Sequence, residues 1–312
     1  MPAKLLTFVS SVLLVFTACY IGNAVKSETI EKILNTPEET LRVWVLSDIQ
    51  PRNRKEKKEF EEAIEDVNLN IPDVDLVIVA GDIEEDASEE DFDWYLATKP
   101  SSHVREWYEI AGNHDLKLND GKGYKEKIRE DFYYSFTKGN ILFVLMSDEV
   151  RGKPTEISDE TFEWWKNLVI NNQDKIIVVV THAPLEGSGI PFSIHPDRQI
   201  KDSRRFGDVL KKYKVDMWFS GHLHIPHSLA GNIERKDKYN GTIFVNVSSI
   251  RSELLGLKKS ESRIVTFVCG SDKVYIESRN HSRRKFDREL GMVFELSKKY
   301  QCENSEKLKV GS

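Results

Sequence analysis

Cysteine is scarce in this sequence, and a basic excess is absent. Three cysteines, Cys19, Cys269 and Cys302, occur among 312 residues, and no two stand in a C-x-x-C pair. That excludes a disulfide-built scaffold and a cysteine-based zinc module. With 45 basic against 51 acidic residues the formal net charge is -6. The signature of a chain that grips nucleic acid by its phosphates is therefore missing. No Gly-X-Y period, heptad bias, repeat or Pro/Gly/Ser-rich linker is present. One domain is expected, although length alone allows about two. Apolar residues, in contrast, make up 39% of the chain and aromatics 10%. That is too much for a disordered chain, and enough for a sizeable core without staples.

The one long apolar run is N-terminal. Residues 1–25 carry a single charge, Lys4, followed by an apolar stretch from Leu5 to Ile21. A positive start before an apolar segment has the design of a secretory signal. Three fates fit residues 1–24. Cleavage after Ala24 follows a small-x-small site. Cleavage before Cys19, in Phe16-Thr17-Ala18-Cys19, leaves a lipidated cysteine. Retention leaves an anchor, since about 20 apolar residues span a bilayer. A buried amphipathic helix fits poorly, because apolar residues cover every face. Each fate places the remaining chain outside the cytoplasm, secreted or membrane-attached. Cys269 and Cys302 can pair there.

From Leu41 onward, continuous apolar runs alternate with helical patterns. Strands are expected at Arg42–Leu46, Leu76–Ala80, Trp107–Ile110, Ile141–Met146, Ile176–Val180 and Val215–Phe219. Helices are expected around Phe60/Ala63/Ile64/Val67, Phe162/Trp165/Leu168/Val169 and Phe206/Val209/Leu210/Tyr213, each with apolar residues on one face. That alternation argues an α/β fold with crossover connections. After Gly221 come short β runs at Thr242–Val247, Arg263–Cys269 and Lys273–Glu277, which suggest a second, more antiparallel sheet. The polar tail, 297–312, is expected to fray.

Each strand ends in a polar signature: Ser47-Asp48-Ile49-Gln50, Gly81-Asp82, Gly112-Asn113-His114-Asp115, Thr181-His182-Ala183-Pro184 and Gly221-His222-Leu223-His224. Ligands of α/β sheets bind outside the carboxyl ends of the strands. The side chains offered are oxygen and imidazole donors without a thiolate, a set that suits Mn, Fe, Zn or Mg. Seven donors exceed what one ion takes from a protein, and they fit two ions sharing a bridging carboxylate. Taken singly, each signature has a plainer reading. Gly-Asp is a turn, Asp48 is a helix cap, and His182 is a satisfied core histidine. Five in order at five strand ends make coincidence improbable.

In this order the signatures resemble the calcineurin-like metallophosphoesterase superfamily, over roughly Leu41 to Ile250. The resemblance implies a two-sheet β-sandwich flanked by helices, a four-layer α/β/β/α domain spanning 40–280. It implies one ion on Asp48, Gln50, Asp82 and His224, and a second on Asp82, Asn113, His182 and His222. His114 would stand beside the phosphate, with Asp115 orienting its imidazole. Two cations about 3.5–4 Å apart would activate a bridging water and neutralise phosphate oxygens. His114 would then assist the leaving group. One position departs from the pattern: the usual Asp-x-His is Asp48-Ile49-Gln50. A neutral amide oxygen is harder than imidazole, which moves the expected metal toward manganese, with iron or zinc as alternatives.

The substrate expected is a small phosphorylated compound, a monoester, diester or pyrophosphate, and not nucleic acid. A superfamily nuclease and a non-catalytic metal-binding module of the same fold are the competing readings. Glu84–Asp93 holds seven acids and reads as a helix cap built on Ser88 and Asp91. His195, in the 187–198 loop, and Arg204 and Arg205 behind it are the candidates for substrate contact. His227 is a further candidate beside the last ligand. Trp164 and Trp165 read as helix packing. Asn240, Asn246 and Asn280 fit the N-x-Ser/Thr pattern.

Overall fold

In the computed structural model, which describes residues 39–150, 155–254 and 257–302, the continuous apolar runs are strands covered on both faces. β1 (Thr40–Leu46), β2 (Leu76–Ala80) and β3 (Glu106–Ile110) lie parallel, connected through helices α1 (Arg54–Asn70) and α2 (Glu89–Thr98). A short helix α3 (Lys122–Lys127) leads to the hairpin of β4 (Tyr133–Lys138) and β5 (Ile141–Met146). Helix α4 (Asp159–Asn171), β6 (Ile176–Thr181), helix α5 (Ser203–Leu210) and β7 (Met217–Ser220) continue the alternation. Then come β8 (Ile233–Lys236), β9 (Thr242–Asn246), a minor hairpin of β10 (Glu253–Leu254) and β11 (Leu257–Lys258), β12 (Glu261–Val268), β13 (Lys273–Asn280), β14 (Lys285–Phe286) and β15 (Met292–Glu295).

The first sheet has the order β14-β13-β12-β1-β2-β3, with β15 also on β13. The second has the order β4-β5-β6-β7-β9-β8. Their facing sides, with Val43, Ile78, Phe143, Val178, Phe219 and Val265, form one core between the sheets. A second core joins the outer face of the first sheet to α1, α2 and α3. A third joins the second sheet to α4 and α5. The layers are α/β/β/α, as the resemblance implies.

Local sequence explains the helices. Asn53 caps α1, accepting from the Lys55 and Glu56 amides, and Phe60, Ala63, Ile64 and Val67 are the buried stripe. Ser158 caps α4 by accepting from Thr161 N. Trp165 of α4 packs 4.9 Å from Phe206 of α5 and 5.7 Å from Trp218 of β7, ring to ring. Tyr213 lies beyond the end of α5, so the apolar face there is one turn shorter than its spacing predicts.

Two expectations are corrected. The late strands build no second sheet of their own. β9 lies parallel to β7 in the second sheet, whereas β12 lies antiparallel to β1 in the first. Apolar patterning identifies a strand but not its distant partner. Nor does the chain fray over 297–302. β15 pairs with β13, and Tyr300 is buried, with Tyr300 N donating to Ser271 O and Gly270 N to Tyr300 O, both at 2.8 Å. Cys302 is disulfide-bonded to Cys269, with a Cα–Cα distance of 5.5 Å. Residues 1–24 and 303–312 lie outside the described residues. No helix of the described residues is long and apolar enough to cross a membrane. Of the glycosylation-pattern asparagines, Asn246 and Asn280 are fully buried and hydrogen-bonded, and Asn240 alone is exposed.

Candidate metal centre

The five polar signatures converge across both sheets. Those after β1, β2 and β3 come from the first sheet, and those after β6 and β7 from the second. Backbone bonds lock them together: Asp48 N to Gly81 O (3.0 Å), Gln50 N to Asp82 O (3.1 Å) and Gly221 N to His182 O (2.8 Å). His222 N donates to Asp48 Oδ2 at 3.0 Å, tying the sheets directly. Asp48, Asp82, His222 and His224 all hold left-handed backbone, with φ between 50° and 64°. For non-glycine residues that costs on the order of 1 kcal/mol or more each, and such strain concentrates at functional sites. Gly81 and Gly221 are steric requirements. A Cβ on Gly81 would meet His182 Nδ1 at 2.6 Å, and one on Gly221 would meet Asp48 Oδ2 at 2.5 Å.

The donor atoms form two triads that share one carboxylate: Asp48/Asp82/His224 and Asp82/His182/His222, each within 4.8 Å. His182 Nδ1 faces the Ala80 carbonyl at 2.9 Å, so that nitrogen carries a proton and Nε2 is the atom turned toward the centre. That Nε2 lies 3.1 Å from Asp82 Oδ2, and His224 Nε2 lies 2.9 Å from Asp48 Oδ1. Contacts that close are satisfied by a proton on the imidazole or by a cation between the two atoms. Gln50 Oε1, Asn113 Oδ1 and His222 Nε2 are buried without partners. Leaving each so costs about 1–3 kcal/mol. These unpartnered atoms and the oxygen/imidazole set fit two divalent ions sharing Asp82.

The electrostatics agree. Burial pushes the Asp82 carboxyl up, but His182, His114 and His222 outweigh it and hold it far below the usual carboxylate range. Asp48 is likewise lowered, its burial outweighed chiefly by His224. Burial would lower His182, but Asp82 and Asp48 raise it well above the ordinary imidazole value. Burial, with His182 behind it, pushes His222 down to about 3, which keeps that ring neutral.

His114 lines the cleft above these groups, and its amide donates to Asp82 Oδ1 at 2.8 Å. Asp115 does not orient the imidazole. Its buried carboxylate accepts from the amides of Gly112, Ile83 and Glu84 at 2.8, 3.1 and 2.9 Å, stitching the β2 and β3 loops together. The His114 ring instead places Nδ1 3.0 Å from the Glu85 carbonyl and 3.1 Å from its Oε1. Glu85 also pairs with Lys117 (3.0 Å) and Arg251 (2.6 Å). Of the acidic stretch, Ser88 does cap α2, as expected. Glu84, however, is buried unpartnered, and burial with the Asp91 and Asp115 charges pushes it up to about 10.

A cleft of about 680 Å³ opens over the centre, and His195 lines it. Arg204 and Arg205 do not reach it. Arg204 projects into solvent, with Glu186 at 3.9 Å. Arg205 binds Asp159 and the Ile157 carbonyl and stacks on Phe162. Both lie in the first turn of α5, ahead of its buried Phe206, Val209 and Leu210. His227 is a buried structural residue held by Ser278 and the Val247 carbonyl. Phe192 and Arg198 of the 187–198 loop line the cleft with His195; sequence reasoning missed Arg251 at the cleft, Glu85 against the His114 ring, and Asp148 behind the centre. Ser147-Asp148 ends β5 as the other signatures end their strands, and that position was the available signal.

The family model of the calcineurin-like phosphoesterases matches residues 41–226, and the chain belongs to that family of metal-dependent hydrolases of phosphoric ester bonds. A probable cyclic nucleotide phosphodiesterase of Xenorhabdus bovienii is 24% identical over 199 residues, covering 60% of this chain and 79% of that protein. Purple acid phosphatase PPD1 of yellow lupin (Lupinus luteus) superposes with a TM-score of 0.63 at 18% identity, covering 88% of this chain and 58% of the lupin protein. A dimetal phosphatase of Danio rerio superposes with a TM-score of 0.62 at 13% identity, covering 82% and 99%. At these identities the two superpositions establish the fold.

Proposed function

We propose that this phosphoesterase hydrolyses a small phosphate monoester, diester or pyrophosphate at a dinuclear centre, manganese being the first choice of metal. The observation that carries this reading is the pair of donor triads sharing Asp82. Asp48, Gln50, Asp82 and His224 would hold one ion, and Asp82, Asn113, His182 and His222 the other. Bound there, the ions supply an activated water and neutralise charge on the phosphate. Glu85 holds the His114 ring at Nδ1 through its carbonyl and its carboxylate. Nε2 is then the atom that gives a proton to the leaving oxygen. Asp115 keeps the two loops that carry Asp82 and His114 in register. The net charge of -6 disfavours nucleic acid as substrate. The N-terminal apolar run and the Cys269–Cys302 disulfide favour an extracytoplasmic protein, secreted or attached through residues 1–24, with lipidation at Cys19 as one route.

The test is metal analysis joined to a substrate panel with Mn²⁺: p-nitrophenyl phosphate, bis-p-nitrophenyl phosphate, a nucleoside diphosphate compound, and single- and double-stranded DNA. Two bound ions with hydrolysis of a small ester and none of DNA is the expected result. Two ions with no hydrolysis would make the protein a metal-binding module, and cleavage of DNA would make it a nuclease.

A further inference from the structure

The segment 187–198 leaves the His182 loop and arches over the cleft. It is fastened at several points. Ser188 and Ser193 are buried and joined through their hydroxyls at 3.2 Å, and Ile190 and Ile200 are buried on the second-sheet side. Backbone bonds run from Ser193 N to Ile190 O (3.1 Å), His195 N to Phe192 O (3.0 Å) and Arg198 N to His195 O (2.8 Å). Turn follows turn, so the segment is preorganised.

Between these fastenings the segment holds Phe192 in the cleft mouth, 58% exposed, on left-handed backbone with φ 65°. Exposing a large apolar ring and placing a bulky residue at positive φ are both unfavourable locally. The anchors on either side impose them together. Six residues on, Arg198 lines the same cleft. Among the described residues no carboxylate lies within 4.0 Å of its guanidinium, whereas Arg205 and Arg251 are both paired. Asp197 also lines the mouth. It leaves one cation and one aromatic face available beside a centre built for phosphate.

We infer that 187–198 is a substrate-recognition arm, in which Phe192 stacks on a flat ring of the substrate and Arg198 binds an anionic oxygen of its phosphate. The substrate class is an aromatic organic phosphate of nucleotide type. An aromatic face favours a planar partner over a polyol, and guanidinium forms directed bonds to phosphate oxygens. The cleft, at about 680 Å³, holds far more than a phosphate group. This inference rests on the phosphoesterase reading for its phosphate, but its test reads binding and not turnover.

The experiment is calorimetric titration of adenosine 5′-monophosphate and ribose 5-phosphate into Mn²⁺-loaded protein carrying His114→Ala, which slows turnover. Tighter binding of the adenosine compound is expected. On that background Phe192→Ala should weaken the adenosine compound about 5–10-fold and leave ribose 5-phosphate unchanged. Phe192→Tyr should retain the preference. Arg198→Gln should weaken both about 10-fold. Equal affinity for the two ligands, unmoved by Phe192→Ala, overturns the inference even if the enzyme hydrolyses other esters. Absence of hydrolysis with the binding pattern intact would overturn the activity and leave the arm standing. Loss of sedimentation with phospholipid vesicles in Phe192→Ala, without change in nucleotide affinity, would show that the apolar tip with Ile194 faces lipid instead, and would also overturn it.

Discussion

His114 Nδ1 lies 3.1 Å from the Glu85 carboxylate, so the imidazole over the centre is oriented by the third residue after Asp82 and not by its neighbour Asp115. The two acids have separate duties. Glu85 joins His114, Lys117 and Arg251, and Asp115 joins the backbones of two loops. Substitutions should separate them.

His114→Ala should lower kcat by about 10²–10⁴-fold with two metals still bound. Glu85→Gln should lower kcat about 10–100-fold, again with metals retained. Asp115→Ala strands three buried amides at about 1–3 kcal/mol each, so its main effect should be a lower Tm. Steady-state kinetics, metal analysis and thermal unfolding on the three proteins check this. Equal kinetic loss without change in Tm for Asp115→Ala would remove the distinction.

Chelated protein should recover more activity with Mn²⁺ than with Zn²⁺, because Gln50 offers a neutral oxygen where imidazole is usual. Gln50→His should move the preference toward Zn²⁺. Asp82→Asn should reduce stoichiometry below two ions, since Asp82 belongs to both triads. Reconstitution titrations followed by metal content and hydrolysis decide the matter, and a clear Zn²⁺ preference in the unaltered protein would contradict the assignment to Gln50.

The Cys269–Cys302 bridge closes a loop of 33 residues, which includes β13 and β15. Cys302→Ser should cost about 2–4 kcal/mol of stability, mainly by freeing the unfolded chain. Urea unfolding of the variant against the oxidised protein measures it. Because the bridge lies away from the cleft, kcat at low temperature should change little.

A buried chain far from the centre sets a pH limit on stability. Trp44 Nε1 donates to Ser262 Oγ, which meets His281 Nε2 at 2.7 Å, and His281 Nδ1 meets Asp66 Oδ2 at 2.8 Å. Arg279 also pairs with Asp66. This buried Ser-His-Asp chain is structural: it fastens α1 to β12 and β13. Burial lowers His281 below 6.5, so its neutral form is favoured. Burial would raise Asp66, but Arg279 and His281 hold it far below 3.8. Both folded values are depressed. The stability they contribute is therefore full above 6.5 and falls as pH drops through 6.5 and then 3.8. The gap in urea midpoint between the unaltered protein and Asp66→Asn should narrow as pH falls below about 4, a comparison that cancels the opposite trend set by buried Glu84. A gap that widens on acidification would contradict it.

Continuous apolar runs and a period of about 3.6 are local properties, so the strands and helices that frame the site were legible from Val43–Leu46, Val77–Ala80 or Phe60–Val67 alone. So were the seven donors, because each follows its strand by one to four residues. What could not be read was partnership. β1 and β12 are both buried apolar strands, more than two hundred residues apart, and nothing local distinguishes that pairing from others. Arg198 and Arg204 look alike in sequence. Only the path of the arm turns one inward, and only the first turn of α5 turns the other out.

By itself, then, the sequence determined which segments are strands and which carry an oxygen or imidazole donor at the strand end, because those depend on neighbours along the chain. Tertiary structure alone decided that Glu85 holds His114, that Arg198 faces the cleft and that Cys269 meets Cys302. These depend on where loops from separate strands come to rest, and a difference of a few ångströms in a loop decides which of two equally suitable side chains makes the contact.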